Sequence, residues 1–566
     1  MKNIKVLSTL LLIAVLLAMG KLNAQDFIQN LLKDELQLHF NSLQKQDKPP
    51  YFLSYRLKEE HIEVLSSAFG SLVMQQKSQN RALAVQLKVG DYTFDNTRSL
   101  HDMGLMNLYS GLSFKILPRE DSILPLRKII REGTDEAYKS ALEAYDKLIL
   151  KKDPQNSEQN DFSKQEPTVY FEPGQTYLPI NESWVDYIKT MTAAFNDDET
   201  ILEAKALLAI RSSREYLMNT EGTSLALNNN KSSLTLVILF RCEDGNMAPY
   251  VKSYNVNTPD QLPDKAEMQE EIASIKLLIS KLRTAPLADP FSGPALLSAE
   301  ASGVFFHEIF GHRVEGHRLG QKLDAHTFKN QLGEKILPES MSITFDPTVN
   351  FYNDTPLIGH YLYDSEGTAG QKVEVVKNGI FRNYLMSRKP VKGIPNSNGH
   401  GRGEFGVPAV SRQSNLFVTS QSGVSDEKLY ESLRKLCKKQ KKEFGFLFEE
   451  VIGGFTNTDR NMPNAFNVIP VVVYKVFADG RPNELVRGVT LIGTPLTMFS
   501  EIQACGKTYG VFNGYCGAES GSMPTSTIAP SILVKKIETQ KQMEIKGGVT
   551  RINSPDLENQ AIDNGK

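Results

Sequence analysis

Residues 307–312 read His-Glu-Ile-Phe-Gly-His, and this hexapeptide constrains the chain more than any other feature. Two imidazoles and a carboxylate within six residues are the donor set of a hydrolytic zinc site, in which imidazoles hold the ion and a carboxylate moves a proton. The widespread pattern His-Glu-x-x-His places its imidazoles four residues apart, on one face of a helix. Here they are five apart, roughly 140° around a regular helix at 3.6 residues per turn. The two can meet on one ion only if the helix is distorted or ends early. Gly311 sits where such a break is expected, and Ser298 is the expected N-cap, with Glu300 in the first turn.

His317 stretches the cluster to eleven residues, the length of His-Glu-x-x-His-x-x-Gly-x-x-His, but Gly311 and Val314 break that pattern. His317 therefore reads as a surface or supporting residue rather than a ligand. Two imidazoles leave a third ligand to find. Cys516, in the Gly-rich stretch Gly514-Tyr-Cys-Gly-Ala-Glu-Ser-Gly521, is the best candidate, placed on a turn before the final strand, and Cys505 is its rival. The competing reading is a Cys505–Cys516 disulfide; Cys242 and Cys437 read as packing residues.

A disulfide is open to consideration because the N-terminus looks like an export signal. Lys2 and Lys5 precede an apolar run from Val6 to Met19, and small residues follow up to Ala24. Residues 1–24 are expected to be removed after Ala24, leaving a chain that is periplasmic or secreted and has no membrane span. Loss of Lys2, Lys5 and Lys21 takes the formal charge from −2 to −5. No basic stripe supports nucleic-acid binding.

Along the 566 residues the pattern changes once. Helical spacing marks 26–46, 134–150, 184–195 and 265–283, and strand-like runs cover 51–57, 81–89, 204–214, 216–218 and 234–240. Residues 151–167 are polar and read as a mobile surface loop. A Pro- and Gly-rich stretch at 284–294 is the expected boundary. Beyond it the chain turns β-rich. Asn378-Gly379 and Asp479-Gly480 each sit between apolar runs as hairpin turns, and further strands fit 414–419, 488–492 and 532–538. The expected fold class is α+β: an N-terminal α/β domain (25–290) with a mixed sheet and helices, a β-rich C-terminal domain (291–541) carrying the metal site, and a flexible tail (542–566).

These residues also carry a resemblance. His307-Glu-Ile-Phe-Gly-His312 with Val314-Glu315-Gly316 is similar to the signature of the TldD/PmbA metalloprotease family, in its TldD-like catalytic branch. The likeness continues through Gly367-Thr-Ala-Gly-Gln-Lys372, Gly399-His-Gly-Arg402, Ser411-Arg-Gln-Ser-Asn415, Gly488-Val-Thr-Leu-Ile-Gly493 and Tyr515-Cys-Gly517, and more weakly Asn219-Thr-Glu-Gly222. It implies a zinc peptidase with Zn2+ on His307, His312 and Cys516, and Glu308 as catalytic carboxylate. It also implies a peptide substrate and a homodimer or a heterodimer with a family partner. Two features depart from the family: the export signal, and His317 where an acidic residue is more common.

On this reading Arg402, His400 or Tyr515 would assist the scissile carbonyl, and Asn415 would hold substrate backbone. The alternative function is a non-catalytic exported binding or assembly protein, with a structural metal site or the Cys505–Cys516 disulfide.

Overall fold

A computed structural model describes residues 27–542, apart from 99–107, 151–158, 176, 178, 322–323, 325 and 462–464. The expected signal sequence and most of the expected tail lie outside the described residues. Among the described residues no helix is long and apolar enough to cross a membrane.

The first half is a seven-stranded mixed sheet with helices on it. Helix α1 (Phe27–Leu43) leads into β1 (Pro50–Ala68), β2 (Ser71–Val89), β3 (Leu112–Leu117), α2 (Ile123–Leu150), β4 (Val169–Phe171), α3 (Glu182–Ala193), β5 (Ile201–Asn219), β6 (Ser224–Arg241), β7 (Met247–Val256) and α4 (Lys265–Thr284). Strand order is β3-β2-β1-β5-β6, with β4 and β7 sharing the outer edge of β6. The two periodicities of the sequence explain the layers. Leu53, Tyr55 and Leu57 alternate toward one face of the sheet, as do Leu83, Val85 and Leu87, and they meet Leu126, Ile130, Ala137 and Ala141 of α2. Farther along, Ala204, Ala206, Leu208 and Ile210 pack with Leu234, Leu236 and Ile238 against Met268, Ile272, Ile275 and Ile279 of α4. The start of α4 is fixed by Asp264, whose carboxylate accepts from the amides of Ala266 and Glu267 while Glu267 answers on the Asp264 amide.

Three expectations for this half change. Helix α2 begins at Ile123, not near Thr134, because Pro125 falls in its first turn, where a missing N–H costs nothing. The strands read at 204–214 and 216–218 are one strand, paired on both sides with β1 and β6. Of the expected surface loop, Asp161, Phe162 and Ser163 are buried. Asp161 is paired with Arg98, and Phe162 lies 5.1 Å from the Phe52 ring with the Arg388 guanidinium 3.9 Å above it. Phe162 and Asp161 thus tie down residues 161–163, while 151–158 of the expected loop lie outside the described residues.

The second half is an eleven-stranded sheet. Its elements are β8 (Ser292–Leu297), α5 (Ala299–Ile309), β9 (Met341–Phe345), β10 (Val373–Lys377), β11 (Ile380–Phe381), β12 (Asn415–Ser420), α6 (Asp426–Lys439), β13 (Phe444–Thr456), β14 (Phe466–Phe477), β15 (Glu484–Val486), β16 (Val489–Gly493), β17 (Ile502–Ala518) and β18 (Gly521–Lys541). The order runs β11-β10-β9-β12-β18-β16-β14-β13-β8, and β8 pairs again with β18, so five strands close into a ring. Helix α5 packs on this ring, against β13, β17 and β18. Both hairpins form as read. Asn378 and Gly379 take φ of 48° and 77°, the paired left-handed geometry that suits a two-residue hairpin turn. The fold is thus mixed α+β, with 25% of residues helical and 43% in strands.

Candidate metal centre

Helix α5 is buried from Ala301 to Ile309 and starts, as its sequence predicts, at Ser298, whose hydroxyl accepts from the Ala301 amide. Its end lies one residue earlier than expected. Phe310, at φ −125° and ψ −49°, leaves the helix, and Gly311–Val314 continue as a 3-10 turn. That break brings His307 and His312 together, with ring centres 5.1 Å apart and planes at 88°. Gly311 is required for space rather than for a left-handed backbone. A Cβ there would lie 1.8 Å from Oε1 of Gln413.

Cys516 reaches the same point from β17. It is part of the strand, paired with Met523, and not on a turn as its glycines suggest. Its Sγ is 3.3 Å from Nε2 of His312. One donor atom each from His307, His312 and Cys516 lies within 4.8 Å of the others, and all three residues are buried. Cys505 sits eleven residues back on the same strand, which at about 3.3 Å per residue is far outside disulfide reach. All four cysteines are free thiols, so the disulfide alternative is overturned.

The electrostatics suit a cation. Burial alone would raise the Cys516 thiol, but His312 and His307 beside it hold it well below the usual thiol range. Burial likewise opposes charge on His312, yet the Cys516 thiolate and the Glu315 carboxylate push it up to about 10. The pair therefore titrates as a thiolate beside an imidazolium. A metal ion would take the place of that proton, since ligation needs thiolate and neutral imidazole. Two imidazoles and a thiolate suit a borderline-soft divalent ion such as zinc. Glu308 is 5% exposed, and its Oε2, 4.0 Å from Nε2 of His312, has no hydrogen-bond partner among the described residues. Burial pushes its carboxyl up, against the pull of both imidazoles.

The other expected residues divide. Tyr515 is half exposed beside the cluster. It lines two cavities, of about 550 and 390 Å3, that meet at His307, Glu308 and Gly454. Arg402 is instead buried with its guanidinium on the Gln413 and Pro524 carbonyls. His400, wholly buried, bonds Ser414 and the Asn398 carbonyl, and Asn415 donates to the Asp346 and Val349 carbonyls. Neither lines either cavity, so they hold loops rather than substrate. His317 is buried against Glu519 and lies outside the metal cluster. Of the two positions expected for it, surface or supporting, the structure has the supporting one, because the turn between β17 and β18 carries Glu519 to its ring.

Sequence reasoning assigned no role to four residues that hold this cluster. Nδ1 of His312 faces Glu315 at 3.4 Å, and Arg412 donates to Cys516 Sγ at 3.3 Å. Gln413 Nε2 is 3.4 Å from Nε2 of His307, and Arg313 donates to the Glu308 carbonyl at 2.6 Å. Two signals existed: a carboxylate three residues after a ligand His, and the run Ser411-Arg-Gln-Ser-Asn415, five polar residues opening an apolar strand, all buried here.

Residues 291–541 match the PmbA/TldA metallopeptidase C-terminal domain. Residues 291–541 thus carry the C-terminal domain of the TldD/PmbA family. Among TldD/PmbA relatives, a metalloprotease from Methanocaldococcus jannaschii is 28% identical over 230 residues, covering 40% of this chain and 46% of that protein. A zinc metalloprotease TldD homolog from Saccharolobus solfataricus is 22% identical over 329 residues, 57% of this chain and 68% of that one. The chain thus spans about half the length of the first of these relatives. In fold, the chain is similar to TldE from Thermococcus kodakarensis, with a TM-score of 0.60 at 13% identity, over 91% of this chain and all of that one.

Proposed function

We propose that this chain is a TldD/PmbA-family, zinc-dependent peptidase acting on peptides or unfolded polypeptide segments. The observation that carries the reading is the buried trio His307, His312 and Cys516 beside a carboxylate oxygen, Glu308 Oε2, that has no hydrogen-bond partner among the described residues. A buried carboxylate oxygen without a hydrogen bond is costly, and such a group lining two cavities fits a residue kept for chemistry.

When bound, zinc would supply a water of pKa lowered toward about 7 and a Lewis acid for the scissile carbonyl. Glu308 does the proton work. Its raised carboxyl accepts the proton of the attacking water at Oε2 and returns it to the leaving amine. His312 keeps Nε2 on the cluster side because Nδ1 is engaged by Glu315. Arg313 fixes the Glu308 backbone through its carbonyl. Tyr515, half exposed at the junction of the cavities, is the group placed to donate to a substrate carbonyl.

The reading includes export through the segment ending at Ala24 and assembly with a second copy or a family partner. A structural metal site, the main alternative, would be closed by a fourth protein ligand. His317, the residue available for that role, is turned to Glu519.

The test is cleavage of unstructured peptides by the purified chain. Activity should be abolished by a chelator and restored by stoichiometric zinc. Cleavage that persists after complete metal removal would rule the reading out.

A further inference from the structure

Arg412 and Glu315 are both wholly buried, and neither belongs to the donor set. Their charges face each other, with Arg412 Nε 3.3 Å from Glu315 Oε1. Each also grips one member of the cluster. Arg412 Nη2 donates to both the Sγ and the backbone carbonyl of Cys516, and Nη1 ties down the far end of the hairpin through Ser520 Oγ (2.8 Å) and the Gly521 carbonyl (3.0 Å). Glu315 Oε2 faces Nδ1 of His312 at 3.4 Å and is fixed from behind by Nε and Nη2 of Arg318, at 2.9 and 2.7 Å.

The two side chains therefore join parts of the chain that meet nowhere else in sequence: the 3-10 turns after α5, the polar segment before β12, and the β17–β18 hairpin. Cys516 and His312 are 204 residues apart, and among the described residues no backbone pairing links strand β17 to the turn that carries His312. The His317–Glu519 and Arg318–Glu519 contacts tie the same turn to the hairpin farther out, but the path that reaches both donor residues is Cys516–Arg412–Glu315–His312.

Resting on the metal-site reading above, we propose that Arg412 and Glu315 are paired positioning residues, a buried guanidinium–carboxylate bridge that presents Cys516 Sγ and His312 Nε2 to one metal ion. A carboxylate behind a ligand imidazole fixes both ring orientation and tautomer, and loss of such a partner typically weakens metal binding about 10- to 100-fold. Arg412 adds the same service for the thiolate, with two donors in a rigid fork that a lysine lacks. Because the two act on one geometry, their removal should not be additive.

The experiment measures zinc affinity by chelator competition, and the thiolate-to-metal absorption of the cobalt-substituted protein, in the full chain and in Glu315→Gln, Arg412→Met and the double variant. Glu221→Gln, which breaks the buried Arg388–Glu221 pair outside the donor set and both cavities, controls for stability alone. Each single site variant should bind zinc about 10- to 100-fold more weakly with an altered cobalt spectrum. The double variant should be no weaker than the weaker single, and Glu221→Gln should lower Tm with zinc affinity unchanged. If Arg412→Met does not fold, Arg412→Lys, which keeps the charge and loses the fork, should show the same weakening. Wild-type affinity and spectrum in folded Glu315→Gln and in the Arg412 variant would overturn the bridge. Fully additive losses would overturn its action as a unit, and a wild-type chain that binds no zinc would overturn the metal site itself.

Discussion

Sγ of Cys516 lies 3.3 Å from Nε2 of His312, although 204 residues separate them in sequence. The helix end and a hairpin strand from the far end of the domain converge to make one donor set. Cys516→Ser keeps the shape but replaces a thiolate with a hydroxyl that is not ionised at neutral pH. The chain should stay folded, retain the His307–His312 arrangement, and lose zinc by at least about tenfold in affinity. Metal analysis after dialysis against a weak chelator checks this.

Gly311 is a packing requirement. A methyl group there would meet Gln413 Oε1 at 1.8 Å and its Cδ at 2.2 Å. Gln413 also borders His307, so it cannot retreat without disturbing the cluster. Gly311→Ala should destabilise the fold by about 1–3 kcal/mol, as overpacking in a filled core does, and should weaken metal binding as well. Denaturant midpoints and zinc titration measure the two effects separately.

Phe162 anchors a stretch whose composition suggests only loop. It is 4% exposed, set against Phe52 and beneath the Arg388 guanidinium. Phe162→Ala should cost about 3–5 kcal/mol, the range for emptying a buried aromatic site. A loss below about 1 kcal/mol in urea unfolding would return the segment to the surface.

Stability should also depend on the carboxylate pair Asp364 and Glu366, which meet around the Gly401 backbone. Burial, then the Glu366 charge, pushes the Asp364 carboxyl up to about 8, against the three backbone N–H groups that bond it. An acid whose pKa is higher folded than unfolded binds more protons in the folded state between the two values. Its contribution is therefore present below about pH 4 and lost as pH rises toward 8. The slope from one group is at most about 1.4 kcal/mol per pH unit. Glu366→Gln removes the opposing charge and should flatten that slope, read as Tm against pH from 4 to 8.

Local chemistry made part of this legible in advance. Ser298 as N-cap, the early end of α5 and the Asn378-Gly379 hairpin rest on interactions within a few residues, so pattern and spacing were enough. Cys516 could be named as a ligand only through its flanking motif. Its true setting, in the ladder opposite Met523 near the hairpin turn, depends on the long β17–β18 pairing. Arg412, Gln413 and Glu315 were harder still, because their partners come from three separate segments and a polar run gives no hint of which buried group it will face. Arg402, His400 and Asn415 show the converse. Each has catalytic chemistry available, but each spends its donors on buried carbonyls or a neighbouring hydroxyl that the loops would otherwise leave unpaired.

The measurement that bears most directly on the central claim is zinc stoichiometry and peptide turnover determined together on the wild-type chain and on Glu308→Gln. The account predicts one zinc per chain in both proteins, with turnover reduced at least about 100-fold in the variant, as expected when a general base is removed. Zinc at full occupancy with undiminished turnover in Glu308→Gln would contradict it.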